Sequence, residues 1–452
     1  MTVFAVVGTP GDRRVRLFAD ALRAFGLAEP TVIAWRDVLT GAPIHIPEGA
    51  WVRIDSPGED PATDALLRGP GPPTRVGGGA SWYAGFLHGL ERVRHAVSHT
   101  PGARLLADID EIATMFDKRR CHTHLSAAAI PVPPALGPGP ITGYPHLRKA
   151  MTQAGWHRVF IKPPHGSSAA GIVALQTQGP HLHATTPIEL LPSHPTPSAV
   201  ATALTAAPAA TAPAIPAPSA VAAPAATATV PAVPIALIAP VAVTATVSTG
   251  VAGSTAVTAT AAAPTAASTV NTAGAAPTVP AVPEMHNSLR VRTYTDEADV
   301  AAIIDALAPD GLHVERWFPK ASIDGRVFDL RVVVIGGRPT HAVVRASRTP
   351  MTNLHLGGTR GDLEHVRARL GPDRWERAML TCARAAACFP NSPMVGVDLM
   401  VGIDWRRFAV AEVNAFGDLL PGLTGLPDGA APGLDCHAAQ VAHLLATGGG
   451  PA

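Results

Sequence analysis

The sequence predicts a mixed α/β fold interrupted by one long insertion. Three observations predict it. Over roughly the first hundred residues, short apolar runs alternate with helical patterns. The C-terminal part carries a succession of strand-like runs rich in Val, Ile and Phe. Between them, residues 190–283 contain no Asp, Glu, Lys or Arg. Strand–helix alternation implies a mainly parallel sheet, and the charge-free block marks a boundary between globular parts.

The elements follow in order. Residues 1–105 form an N-terminal α/β domain. "TVFAVVGTPG" reads as a strand and turn, followed by a helical pattern through Leu17, Leu22 and Phe25 and by strands at "TVIAW" and "WVRID". No basic stretch precedes the first apolar run, so it reads as a strand rather than a signal peptide. The "GTPG" turn lacks the full G-x-G-x-x-G pattern of a dinucleotide site. In residues 106–188, a helical pattern over 108–129 stops at "IPVPP", and "RVFIKPP" is strand-like. Residues 189–284 are built from Ala, Pro, Thr, Val and Ser, with few large side chains to offset ordering entropy, so a disordered or extended insertion is expected. Its apolar centre, 230–247, approaches membrane-spanning length. Pro231, Pro234 and Pro240 oppose a continuous helix there, and no basic cluster flanks it. The block also accounts for the positive mean hydropathy of +0.21. Residues 285–430 continue with the helical "DEADVAAIIDALA", strands at "GLHVERWF", "RVFDLRVVVIGG" and "THAVVRAS", a helix near "RWERAMLTCARAAACF" and a hairpin, "VGVDLMVG…RRFAVAEVNA". Residues 431–452 are a C-terminal helix and tail.

At 452 residues the chain has room for two or three domains. A net charge of +1 argues against capture of nucleic acid or an anionic membrane. Four scattered cysteines, none in a C-x-x-C pair, argue against a disulfide scaffold and a zinc site. A reducing, cytoplasmic setting is the expectation.

The final hairpin carries the chemistry. Glu412 and Asn414 are two apart on an apolar strand and so share a face. A turn centred near Trp405 places Asp398 opposite Glu412. Adjacent carboxylates repel unless a cation lies between them, and hard Asp, Glu and Asn oxygens suit Mg2+. Lys162 ends an apolar strand, and the Gly/Ser loop 165–171 follows it. Loops of this kind set N–H groups and hydroxyls around phosphates, while a lysine adds charge. Lys118, on a helix, reads by itself as part of a solvated basic face. Asp329 and Arg331 are again two apart on a strand. "ERWF" could set backbone groups against a flat ring, and Arg345 and Asn353 add a charge and an amide.

Taken in order, "FDK", "FIKPPHGSSAAGIV", "HVERWF", "FDLRVVVIGG", "VVRAS…NLHLGG" and "GVDLM…AEVNA" resemble the ATP-grasp superfamily, and within it the RimK-type ligases that add glutamate to carboxyl groups. The resemblance covers residues 105–425 without the insertion. It implies two α+β lobes closing on ATP behind a small α/β domain. It implies that Lys118 and Lys162 contact the nucleotide phosphates and that His165, Gly166, Ser167, Ser168 and Gly171 belong to a lid. Glu315, Arg316, Trp317 and Phe318 would be a hinge with backbone bonds to adenine, with Asp329, Arg331 and Asn353 also at the nucleotide. Asp398, Glu412 and Asn414 would bind Mg2+, with Mn2+ as an alternative, and Arg345 would stand with Lys162 at the transferred phosphoryl group. Two departures bear on substrate. Met351 stands where the glutamate ligases carry an arginine, and "FGDLLPGL", with Asp418, replaces the usual short turn.

The implied reaction joins a carboxylate to an amine through an acyl phosphate, with ATP consumed. It needs no protein nucleophile, so Cys121, Ser167, His122, His124 and His165 have no required catalytic role. A kinase-type enzyme on the same site, or a non-catalytic nucleotide-binding module with a flexible segment, are the competing classes.

Overall fold

In the computed structural model of the protein, residues 2–449 are described except 59, 138, 167–168, 180, 192–283 and 418–420. The expected insertion with its apolar centre, Ser167, Ser168 and Asp418 therefore lie outside the described residues. The described residues belong to one compact unit, Met1–Ser193 with Ala281–Ala452. Among them no helix is long and apolar enough to cross a membrane.

The N-terminal sheet has the order β2-β1-β3-β4, with β1 Phe4–Gly8, β2 Thr31–Ala34, β3 Trp51–Ile54 and β4 Arg104–Leu105 all parallel. Every residue of β1 is buried, as expected for a parallel strand covered on both faces. Ala5 and Val7 pack toward Trp35 and Phe86, whereas Phe4 and Val6 pack toward Phe18 and Leu22. Helix α1, Arg13–Ala24, starts at Asp12, whose carboxylate accepts from the Arg14 N–H. Helices α2 (Trp35–Thr40), α3 (Pro61–Arg68) and α4 (Gly79–Ser98) complete the domain.

The single helical pattern expected over 108–129 is two helices, α5 Ile109–Phe116 and α6 Lys118–Ala127. Asp117 is extended (φ −96°, ψ 105°), and its carboxylate caps α6 by accepting from Arg119 and Arg120. A capping aspartate inside an otherwise helical pattern ends one helix by starting another. The break sets Lys118 at the first position of α6.

The second sheet is antiparallel, in the order β8-β7-β6-β5-β9. Its strands are β5 Arg158–Lys162, β6 Val173–Gln178, β7 His181–Leu191, β8 Glu284–Tyr294 and β9 His313–Arg316. Helices α7 (Tyr144–Gln153) and α8 (Glu297–Leu307) cover one face, burying Leu147, Met151, Val300 and Ile304 against Val159, Ile161 and Leu175. The β7–β8 ladder ends on the pair Leu191–Glu284, so the chain leaves and re-enters this sheet at neighbouring positions.

The third sheet has the order β13-β12-β11-β14-β15, with β10 beside β11. It comprises β10 Ser322–Ile323, β11 Arg326–Ile335, β12 Arg338–Ser347, β13 Thr359–Arg360, β14 Met394–Val401 and β15 Phe408–Asn414. Leu330, Val332 and Val334 face a core shared with α9 (Leu363–Leu370) and α10 (Pro372–Ala386). By alternation Asp329 and Arg331 point the other way. The last helix, α11 Cys436–Thr447, packs on α1, so Val441 and Leu444 join Phe4, Val6 and Phe18 in one core.

Candidate active site

A cleft of about 670 Å³ is lined from the second and third sheets, from α5 and α6, and from the start of α1 and the loop after β3 in the N-terminal domain. That volume suits one or two small ligands. Of the residues singled out in the sequence, Lys118, Lys162, Gly166, Glu315, Arg316, Phe318, Asp329, Arg331, Arg345, Asn353, Asp398, Glu412 and Asn414 line it. Trp317 does not; its ring packs on Phe160 at 4.8 Å. Gly171 does not either, and its N–H donates to Asn287 Oδ1. His165 is stacked on Tyr83 (4.0 Å) with Nε2 3.1 Å from Asp117 Oδ2, so it anchors the start of the loop.

The β14–β15 ladder pairs Asp398 with Glu412 and Gly396 with Asn414. Near the turn the pairs are Val401–Phe408 and Leu399–Val410, and a bulge at Ala411 shifts the register before Glu412. In an unbroken strand Val410 would share a face with Glu412. The bulge instead puts Val410 and Val413 in the core while Glu412 and Asn414 reach the cleft. The extra residue also has a role, since the Ala411 carbonyl accepts from Lys162 Nζ at 3.4 Å.

The acids are matched by protein cations. Asp398 Oδ1 is 2.5 Å from Arg331 Nε, and its Oδ2 is 2.9 Å from Arg345 Nη2. Burial pushes the Asp398 pKa up, with Asp329 and Glu412 adding to the effect and the two guanidiniums opposing it. Glu412 Oε1 is 3.0 Å from Lys118 Nζ. Burial opposes its ionisation too, but Lys118 and Lys162 outweigh this and hold its pKa below the usual value. Asp329 takes Arg345 Nε on Oδ1 at 2.8 Å, and Thr352 and Lys320 on Oδ2. Asn414 donates Nδ2 to the Gly396 carbonyl at 3.2 Å, which leaves its amide oxygen as the acceptor on offer.

The residues expected to form the hinge behave differently from one another. Arg316 and Trp317 spend their backbone N–H groups on the carbonyls of Pro134 and Arg158. The Glu315 side chain is buried and paired with Lys162 Nζ at 2.7 Å. Phe318 joins Phe160, Ile172 and Met400 among the apolar lining.

Sequence reasoning missed Lys320 and Thr352, which hold Asp329 beside Arg345. Lys320 stands in "RWFPKAS", where no periodicity marks it, and its side chain is left 9% exposed beside Asp329. It also missed Asp12, Arg13, Arg14 and Ser56, which bring the N-terminal domain to the cleft. Among the described residues no group of three or more His, Cys, Asp or Glu is arranged to hold a metal. The expected ligand set contains two acids and an amide.

No protein-family model matches the chain. No curated protein matches it in sequence. Solved structures with a similar arrangement include the ATP-grasp ligase PsnB complexed with minimal precursor, at 16% identity over 98% of this chain and 99% of that one, TM-score 0.45. Another is the D-cycloserine synthetase DcsG, at 13% identity over 98% and 99%, TM-score 0.49. A third is the macrocyclase MdnC bound with precursor peptide MdnA from Microcystis aeruginosa MRC, at 10% identity over 99% and 100%, TM-score 0.44. The cleft's own geometry, rather than these distant likenesses, carries the functional reading.

Proposed function

We propose that this protein is a Mg2+-dependent ATP-grasp ligase that joins a carboxylate to an amine. One observation carries the reading: Lys162, at the end of β5, reaches the bulge carbonyl of Ala411 on β15, next to the facing pair Asp398 and Glu412. A cation from one antiparallel sheet thereby meets hard oxygen donors from another in a single cleft. The apolar lining at Phe160, Ile172, Met400 and Phe318 suits a flat base.

The residues present fit a hard divalent cation. Asn414 offers an oxygen, Lys118 occupies only one oxygen of Glu412, and Asp398 is held by arginines that phosphate groups can recruit. Asp398, Glu412 and Asn414 would hold Mg2+ or Mn2+. When bound, the ion supplies positive charge to the phosphate oxygens. Lys118 and Lys162 bind the phosphates of ATP, and Arg345 stabilises the phosphoryl group in transfer.

In the reaction, a substrate carboxylate oxygen attacks the γ-phosphorus, the bond to the bridging oxygen breaks, and ADP leaves. The amine nitrogen then attacks the acyl carbon, phosphate departs, and a proton is released. The cleft walls position the partners and keep water from the acyl phosphate.

The test is ADP formation with Mg·ATP against panels of carboxylates and amines. Turnover should require both, and Glu412→Gln should lower it about 100-fold or more without unfolding the protein. Wild-type turnover in that variant would overturn the metal assignment. ADP formation that needs no amine would mark a kinase-type enzyme, and Mg·ATP binding without turnover would mark a binding module.

A further inference from the structure

We propose that Glu315 and His313 are positioning residues that hold the Lys162 ammonium ready for the nucleotide phosphates. The inference rests on the nucleotide reading above and gives the Glu315 side chain a role separate from any backbone contact to the base.

The geometry is a short relay across one ladder. Strands β5 and β9 pair Lys162 with His313 and Phe160 with Glu315, so these four side chains share a face. Glu315 spends Oε2 on Lys162 Nζ at 2.7 Å and Oε1 on His313 Nε2 at 2.9 Å. All three residues are buried; Lys162 and Glu315 line the cleft, and His313 lies behind them. Burial lowers the His313 pKa below its ordinary value, which keeps the ring neutral at neutral pH and makes Nε2–H the donor to the carboxylate. The carboxylate is thereby fixed from behind. On the other side of the lysine the bulge carbonyl of Ala411 takes a second N–H.

An ammonium has three donors. Glu315 and Ala411 account for two, and both belong to rigid strands. A lysine otherwise loses much side-chain freedom when it grips a ligand. Here that freedom is already lost in the folded protein, so a phosphate oxygen meets a pre-oriented donor. The remaining groups around the lysine do not provide this. Glu412, on β15, gives one oxygen to Lys118, and His122, on α6, donates to the Pro133 carbonyl.

A purely structural counter-ion makes a different prediction. It would change the stability of the protein but not the affinity of the molecules that remain folded. The experiment measures calorimetric binding of Mg·ATP to the full-length chain, with thermal unfolding of the nucleotide-free protein alongside. Glu315→Gln keeps the shape and removes the charge; its dissociation constant for Mg·ATP should rise about 10-fold. His313→Leu, which removes the donor behind Glu315, should shift affinity in the same direction. His313→Gln, which keeps an N–H donor, should restore it to within about 3-fold of wild type.

Wild-type affinity in both Glu315→Gln and His313→Leu, with weakened binding in Lys162→Ala, would overturn the positioning role and leave the nucleotide reading standing. Lower binding stoichiometry at unchanged affinity would also overturn it. If Glu315→Gln fails to fold, the two His313 variants decide by themselves. Absence of Mg·ATP binding in the wild-type chain would remove the nucleotide reading and this inference with it.

Discussion

Asp398 and Glu412 face each other across two strands, yet their surroundings differ. Asp398 is buried between two guanidiniums, so removing its charge would break both of those ion pairs and cost about 3–5 kcal/mol, with Arg345 keeping its bond to Asp329. Glu412 has a side chain 30% exposed and a single lysine partner. It is therefore the cleaner position for separating chemistry from folding. Glu315 yields a pH prediction. Burial alone would raise its pKa, but Lys162 and His313 bring it from the ordinary 4.5 down to about 2. A depressed folded-state value contributes stability above the unfolded pKa and loses it as pH falls through the folded one. The contribution is thus complete above about pH 4.5 and fades toward pH 2, an effect on the order of 3 kcal/mol. Urea unfolding of wild type and Glu315→Gln between pH 6 and pH 2.5 should show the stability gap closing as pH falls. A gap that stays constant would contradict the pairing.

At the scale of elements, the cleft-facing side chains of β15 depend on a bulge. The alternating pattern of "FAVAEVNA" makes Glu412 and Asn414 neighbours on one face, and that part is legible from spacing. The pattern also groups Val410 with them, and the bulge at Ala411 undoes that grouping. A bulge has no reliable mark in an Ala-Val-Ala run, so it is invisible before the strand pairs. The helix break at Asp117 is more readable in retrospect, because an aspartate followed by Lys-Arg-Arg is a fair cap. Close packing of β14 on the segment after β15 gives an element-level prediction. A Cβ added at Gly396 would come within 2.8 Å of the Gly417 carbonyl and 2.9 Å of Arg331 Nη1. Gly396→Ala should cost about 1–3 kcal/mol in urea unfolding, because backbone on one side cannot yield. An unchanged midpoint would show that the segment around Gly417 moves aside freely.

For the whole molecule, the ends of the charge-free block matter more than its length. Leu191 and Glu284 are paired neighbours in adjacent antiparallel strands. A short hairpin turn can join such positions without altering the sheet. Replacing residues 193–282 by such a turn should leave Mg·ATP affinity within about 2-fold, since loop closure costs grow only slowly with length. A large loss of affinity in calorimetry would assign those residues a part in the site. The last helix links the two ends of the chain in another way. Val441 and Leu444 fill a core with Phe4, Val6 and Phe18, and Arg53, ion-paired to Asp55, also reaches Gln440. The N-terminal domain is thus completed by residues more than three hundred positions away.

By itself the sequence determined the alternation of strands and helices, the position of the insertion, and the polar residues that interrupt apolar strands. These are local properties: periodicity follows from backbone geometry, and a charge on an apolar strand is conspicuous wherever it occurs. Tertiary structure alone decided which charges meet. Lys118 changes from one basic residue on a helix into the partner of Glu412, and Lys320 is buried against Asp329. Glu315 comes to hold Lys162. Those pairings join residues far apart in the chain, and their strength comes from burial that only the packed sheets create.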